Sequence, residues 1–95
     1  MFGLFSTPEE KLKKSVDKAI DKEIAIMLQD PSSKFLAESN VRFAIMNVYK
    51  SHNSASSLLA QGHNIPHKKV LEIIKKCCND ALINNFSNAK DFLIP

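Results

Sequence analysis

The sequence predicts an all-α fold, a small bundle of three to four main helices with a short extra helical turn. Three observations lead there. Apolar residues recur at three- and four-residue spacing over most of the chain, the period of a helix with one buried face. Helix-start residues precede the clearest of these stretches. Nowhere do apolar and polar residues alternate as they do in strands. Ninety-five residues are one domain's worth of chain, enough for one core. We divide them into an apolar N-terminal arm, 1–6, and a single helical domain, 7–95.

The first helix carries the strongest start signal. In "STPEEKLKK", Thr7 is the N-cap, Pro8 takes the first helical position and Glu10 the capping-box position. Glu9–Lys13 and Glu10–Lys14 are i,i+4 pairs in the favourable order. Leu12, Val16, Ala19, Ile20, Ile24 and Met27 then share a face. The last turns, "EIAIMLQ", are apolar nearly all round, so this end plugs into a core or a partner. Asp30-Pro31 closes the helix, because a residue before proline avoids the α region.

"SSKFLAES" (32–39) reads as a short helical turn anchored by Phe35 and Leu36, and Asn40 either breaks it or caps the next helix. That helix runs from about Val41 towards Gln61. Its inner stripe is Val41, Ala44, Ile45, Val48, His52, Ala55 and Leu59. "KSHNSASS" in its middle holds weak helix formers that bond their own backbone, which predicts a kink or break near Asn53–Ser54. Gly62 suits a helix C-cap, Asn64 suits the next N-cap, and Pro66 sits in the first turn of a last long helix of about 66–86. Val70, Leu71, Ile74, Cys77, Cys78, Ala81, Leu82 and Phe86 line its broad inner face. Ile73 and Ile83 widen that arc, making this the most buried helix. After Ser87 the tail adds one turn, with Phe92 and Leu93 folding back.

Composition narrows the function classes. Hydrophobic residues are 44% and charged residues 24% of the chain, as in an ordinary soluble domain and unlike a disordered one. No apolar run approaches the roughly 20 residues of a membrane span. "MFGLF" lacks the basic start and cleavage site of a signal peptide, so the expected location is the cytoplasm. Net charge is +3, balanced over the first third and mildly basic beyond it. That surplus permits an acidic partner without demanding one. Gly3 and Gly62 are the only glycines, which leaves no phosphate-binding glycine loop. Neither a nucleophile elbow nor an H-E-x-x-H motif occurs. No catalytic residue, cofactor or small-molecule substrate is nominated.

Two adjacent cysteines, Cys77 and Cys78, are the only ones. Helix neighbours point about 100° apart, so the pair cannot face one metal ion without distorting the helix, and a vicinal disulfide is strained. Both lie on the apolar stripe, where free cysteine acts as a small buried hydrophobe. His63 and His67 have H-x₃-H spacing, but Pro66 intervenes and no C-x₂-C precedes them, so the zinc ligand set is incomplete. His52 reads as a partly buried histidine of its helix.

One stretch, "SSLLAQGHNIPHKKVLEIIKK" (56–76), resembles the helix-turn-helix of bacterial and phage DNA-binding domains. Ala60, Asn64, Ile65, Pro66, Val70 and Ile73 fall in the register of that motif. Small Ala60 allows close helix approach, Asn64 tolerates a left-handed turn, and Ile65, Val70 and Ile73 pin the second helix. The resemblance implies that His67, Lys68, Leu71 and Glu72 lie nearest the base edges, with Lys69, Lys75 and Lys76 on phosphates. It covers about a fifth of the chain. Gly62 inside the first helix and His63 at a position usually apolar depart from the pattern. A plain αα-hairpin, with Gly62 and Asn64 as caps, accounts for the same residues.

The principal expectation is therefore a non-enzymatic protein-interaction module, an adaptor, regulator or inhibitor acting through helical faces. Its candidate interface comprises Phe2, Leu4, Phe5, Ile26 and Leu28, and its partner is another protein or a second copy of itself, without membrane attachment. A helix-turn-helix DNA-binding regulator is the alternative, with nucleic acid as partner.

Overall fold

A computed structural model describes residues 7–29 and 37–95 of the chain. The expectations for Phe2, Leu4 and Phe5, for Asp30-Pro31, and for Phe35 and Leu36 lie outside the described residues. Within them the protein is all-α: α1 (Pro8–Leu28), α2 (Ala37–Ser54), α3 (Ser56–His63) and α4 (His67–Asn85), then a single 3₁₀ turn, Ala89–Asp91. No helix of the described residues is long and apolar enough to cross a membrane.

Helix α1 starts as its sequence dictates. Thr7 is extended, and its Oγ1 accepts a hydrogen bond from the Glu10 N–H at 3.1 Å, satisfying a donor that the helix cannot. Lys13, however, turns forward to Asp17 at 2.9 Å rather than back to Glu9. Leu12, Val16 and Ile20 are fully buried, each worth about 1.5–3 kcal/mol of transfer free energy. They meet Ile45 and Val48 of α2 and the inner face of α4 in one core cluster. The C-terminal turns of α1 are less enclosed than the pattern suggests, since Ile26 and Leu28 are about half exposed.

Helix α2 begins by Ala37, so residues 37–39 belong to it and Asn40 lies within it rather than breaking or capping it. The interruption before α3 is one residue, Ala55. There the Ala55 N–H still reaches the Ser51 carbonyl (3.1 Å) and the Leu59 N–H the Ala55 carbonyl (3.0 Å). The cause sits one turn earlier. Ser51 Oγ donates to the Val48 carbonyl at 3.1 Å, and His52 Nδ1 lies 2.9 Å from the same oxygen. A carbonyl only accepts, so Nδ1 carries its proton there. Side chains that bond back to the preceding turn bend helices.

The α3–α4 corner departs from the expected caps. Gly62 is inside α3, with nothing within 4 Å of where a Cβ would stand. The left-handed residue is Asn64, at φ 56° and ψ 50°, and it ends α3 rather than capping α4. The Ile65 N–H reaches the Ala60 carbonyl at 3.0 Å and the Asn64 N–H the Gln61 carbonyl at 3.4 Å, the two bonds of a Schellman motif. Energetics explain the choice. Running a helix through glycine costs about 1 kcal/mol, whereas a turn at Gly62 would displace Ile65, now buried, at about 1.5–3 kcal/mol. Pro66, extended at φ −56° and ψ 140°, then leads into α4.

Helix α4 is the centre of the fold. Val70, Ile74, Cys77, Cys78 and Leu82 are buried along it, and α1, α2, α3 and the 3₁₀ turn all pack on it. The apolar arc stops short of Ile83, which is mostly exposed. Beyond α4, Phe86 and Phe92 meet edge to face with centroids 5.5 Å apart.

Gly62→Ala should stabilise the protein by about 0.5–1 kcal/mol, and Asn64→Val should destabilise it by about 1–2 kcal/mol, both read by urea unfolding. Destabilisation by Gly62→Ala, with Asn64→Val neutral, would place the left-handed residue at Gly62 instead.

Candidate functional site

The α3–α4 corner gathers the charged residues that the sequence singled out. Lys68, Lys69, Glu72 and Lys76 are exposed, and Leu71 and Lys75 are half-buried. Val70 and Ile74 on the opposite face anchor the helix to the core. Ile73 and Leu59 pack against that core as partly buried neighbours. The first half of α4 thus presents one side to solvent while its other side is fixed. Its first turn contains no acid, and no side chain caps its N-terminus, so the partial positive charge of that end is not offset locally.

Two of the lysines already have partners. Lys69 Nζ lies 3.9 Å from Glu72 and Lys76 Nζ 3.2 Å from Asp80. Exposed pairs of this kind are worth roughly 0–1 kcal/mol, little enough for another anion to replace them. Lys68 and Lys75 have no carboxylate within ion-pair distance among the described residues.

Sequence reasoning missed Ser56. It is a buried polar side chain at the start of α3, and its Oγ lies 2.7 Å from His67 Nε2 at the start of α4. This bond ties the two helices across the corner. His67, although exposed, is therefore tied to the scaffold and less available to a ligand than its position suggested. A serine and a histidine eleven residues apart gave no sequence signal, because their meeting depends on the angle of the turn.

Cys77 and Cys78 are both buried and unbridged. Cys77 points towards α1, with Sγ 3.9 Å from the Lys13 carbonyl. Burial, reinforced by the nearby Asp17 carboxylate, pushes both thiols up to about 12. They stay protonated at neutral pH and are poor nucleophiles. An open cleft of about 380 Å³ beside Cys77 is lined by Lys13, Asp17, Asp21, Cys77, Asp80 and Asn84 among others. Asp17, through its hydrogen bond and its charge, raises the Lys13 ammonium, keeping it cationic. No group of three or more His, Cys, Asp or Glu among the described residues could hold a metal ion.

The described residues also include exposed apolar side chains: Leu58 at 72% and Phe43 at 59%, with Ile26, Leu28 and Ile83 near half. They lie on four different helices. No protein-family model matches the chain, no curated protein is significantly similar to it, and no solved structure matches its fold.

The buried thiols set a pH dependence. In the folded protein they keep their protons up to about 12, whereas an unfolded thiol loses its proton near 9.0. Their contribution is fully present below pH 9 and falls as pH rises towards 12, by an amount on the order of 4 kcal/mol per thiol at most. Urea unfolding at pH 8 and pH 10.5 should show this loss, reduced in Cys77→Ala and Cys78→Ala. A thiol reagent at pH 8 should label neither cysteine until the protein is denatured, and rapid labelling of the native protein would contradict the burial.

Proposed function

We propose that the chain is a non-enzymatic DNA-binding regulator that docks the first half of α4 into the major groove through a helix-turn-helix formed by residues 56–76. The observation that supports this reading is Asn64. The motif register requires its left-handed residue four positions after Ala60, and the plain hairpin with Gly62 as cap does not. Asn64 holds that conformation, and Ile65 and Val70 are buried behind it, as a pinned reading helix needs. On this reading Lys68, Leu71 and Glu72 face base edges. Lys69, Lys75, Lys76 and the uncapped N-terminus of α4 face phosphates. The Ser56–His67 bond sets the angle at which α4 enters the groove. The chain works in the cytoplasm, and pairing of two copies would present two α4 helices to successive grooves.

A second reading rests on the exposed apolar residues. Ile26 and Leu28 at the end of α1, with Leu58 and Phe43, suit a protein partner or a second copy.

Fluorescence anisotropy of a labelled random duplex separates the two. The DNA reading predicts micromolar binding at low salt that weakens steeply with added salt. It also predicts weaker binding by a Lys68→Ala/Lys69→Ala variant, whose log–log salt slope should be smaller by about 2. Absence of binding at low salt would overturn it and leave the protein-interaction reading.

A further inference from the structure

The segment after α4 is held in an unusual way. Beyond the 3₁₀ turn the chain has no regular structure, and its last such bond joins the Phe92 N–H to the Ala89 carbonyl at 2.9 Å. Two residues later a single side chain on α4 takes over. Asn79 Oδ1 accepts from the Ile94 N–H at 2.8 Å, and Asn79 Nδ2 donates to the Ile94 carbonyl at 3.0 Å. One amide thus satisfies both main-chain groups of one residue, as an adjacent strand would. The Phe92 and Phe86 rings meet in a T-shaped pair, and the Arg42 guanidinium of α2 stands 4.2 Å from the Phe92 centroid, a cation–π arrangement. Phe92, Leu93 and Ile94 are only half-buried.

This seat reads its occupant in two ways. Asn79 reads backbone and is indifferent to side chain, provided the residue has an N–H, which excludes proline. Arg42 and Phe86 select an aromatic ring two places earlier. The chemistry defines a ligand class: a peptide with an aromatic residue followed, two positions on, by an aliphatic one.

We propose that residues 92–95 are an internal ligand covering a peptide-binding seat on α2 and α4, and that the seat receives such a segment from a partner protein when the strap lets go. The fit of the chain's own Phe92-Leu93-Ile94 shows what the seat accepts. Tethering holds the strap at millimolar effective concentration, so an incoming peptide sees its affinity reduced by the open fraction. The seat lies on the second half of α4, away from the α3–α4 corner, and does not depend on DNA binding.

The test uses the full chain and a fluorescein-labelled peptide of sequence NAKDFLIP, matching residues 88–95. Phe92→Ala weakens the strap and should bind the peptide at least about tenfold more tightly than the unaltered protein. Adding Asn79→Ala should abolish that gain, as should replacing the peptide's phenylalanine by alanine. Failure of a folded Phe92→Ala variant to bind the peptide would overturn the proposal. So would its dimerisation without peptide binding, because the tails would then exchange between copies. Should Phe92→Ala not fold, amide exchange of the unaltered chain decides. An Ile94 N–H about a hundredfold less protected than the Leu82 N–H supports an independently opening strap, and equal protection makes the tail part of the cooperative core and overturns it.

Discussion

The buried face of α4 is the constraint on which the rest of this structure depends. Cys77 and Cys78 show how wide it is. Neighbouring residues point about 100° apart on a helix, yet both are at most 2% exposed. One neighbouring helix cannot cover such an arc, and α4 has α1 and α2 packed on it together, with α3 and the C-terminal turn besides. Small side chains at 77 and 78 fit where helices converge, and burial makes the thiols inert. The adjacent cysteines are thus accounted for as packing residues.

A helix held this firmly can lend one of its ends to another purpose. The Schellman bonds at Asn64, the burial of Ile65 and the Ser56–His67 hydrogen bond fix where α4 begins and how it leaves α3. Exposed lysines on its first two turns are therefore displayed on a rigid element, which places charge more exactly than a loop does. The second half of α4 carries Asn79, which binds backbone instead of solvent. Core, corner and strap are three uses of one helix.

Most of the bundle was legible because it rests on local rules. The Thr7-Pro8-Glu10 cap, the helical stripes and the weak helix formers around Ser54 act within a turn or two, and they located α1, the inner faces and the α2–α3 interruption. The misread positions depended on competition between local options. Gly62 is the better left-handed residue by intrinsic preference, but Asn64 takes that role because it lets Ile65 reach the core. Ile83 continues an apolar run in sequence and yet is mostly exposed, since none of the described residues covers that side. The missed contacts are long-range. Ser56 meets His67 and Asn79 meets Ile94 only after the chain has turned, and an asparagine among lysines and aspartates reads as one more exposed polar residue. The display of Lys68, Lys69 and Glu72 was legible from helical periodicity, whereas the partial engagement of Lys69 and Lys76 in ion pairs was not.

The central claim is that α4 is divided between the solvent side of its first half, which meets DNA, and a buried side along its whole length, which holds the fold. Residue-by-residue chemical-shift mapping of the ¹⁵N-labelled chain during titration with a short DNA duplex at low salt tests it most directly. Such a division predicts shifts concentrated on residues 64–76, with the amides around Cys77–Leu82 and the end of α1 unmoved. Shifts centred on Ile26 and Leu28, or none at all, would contradict it.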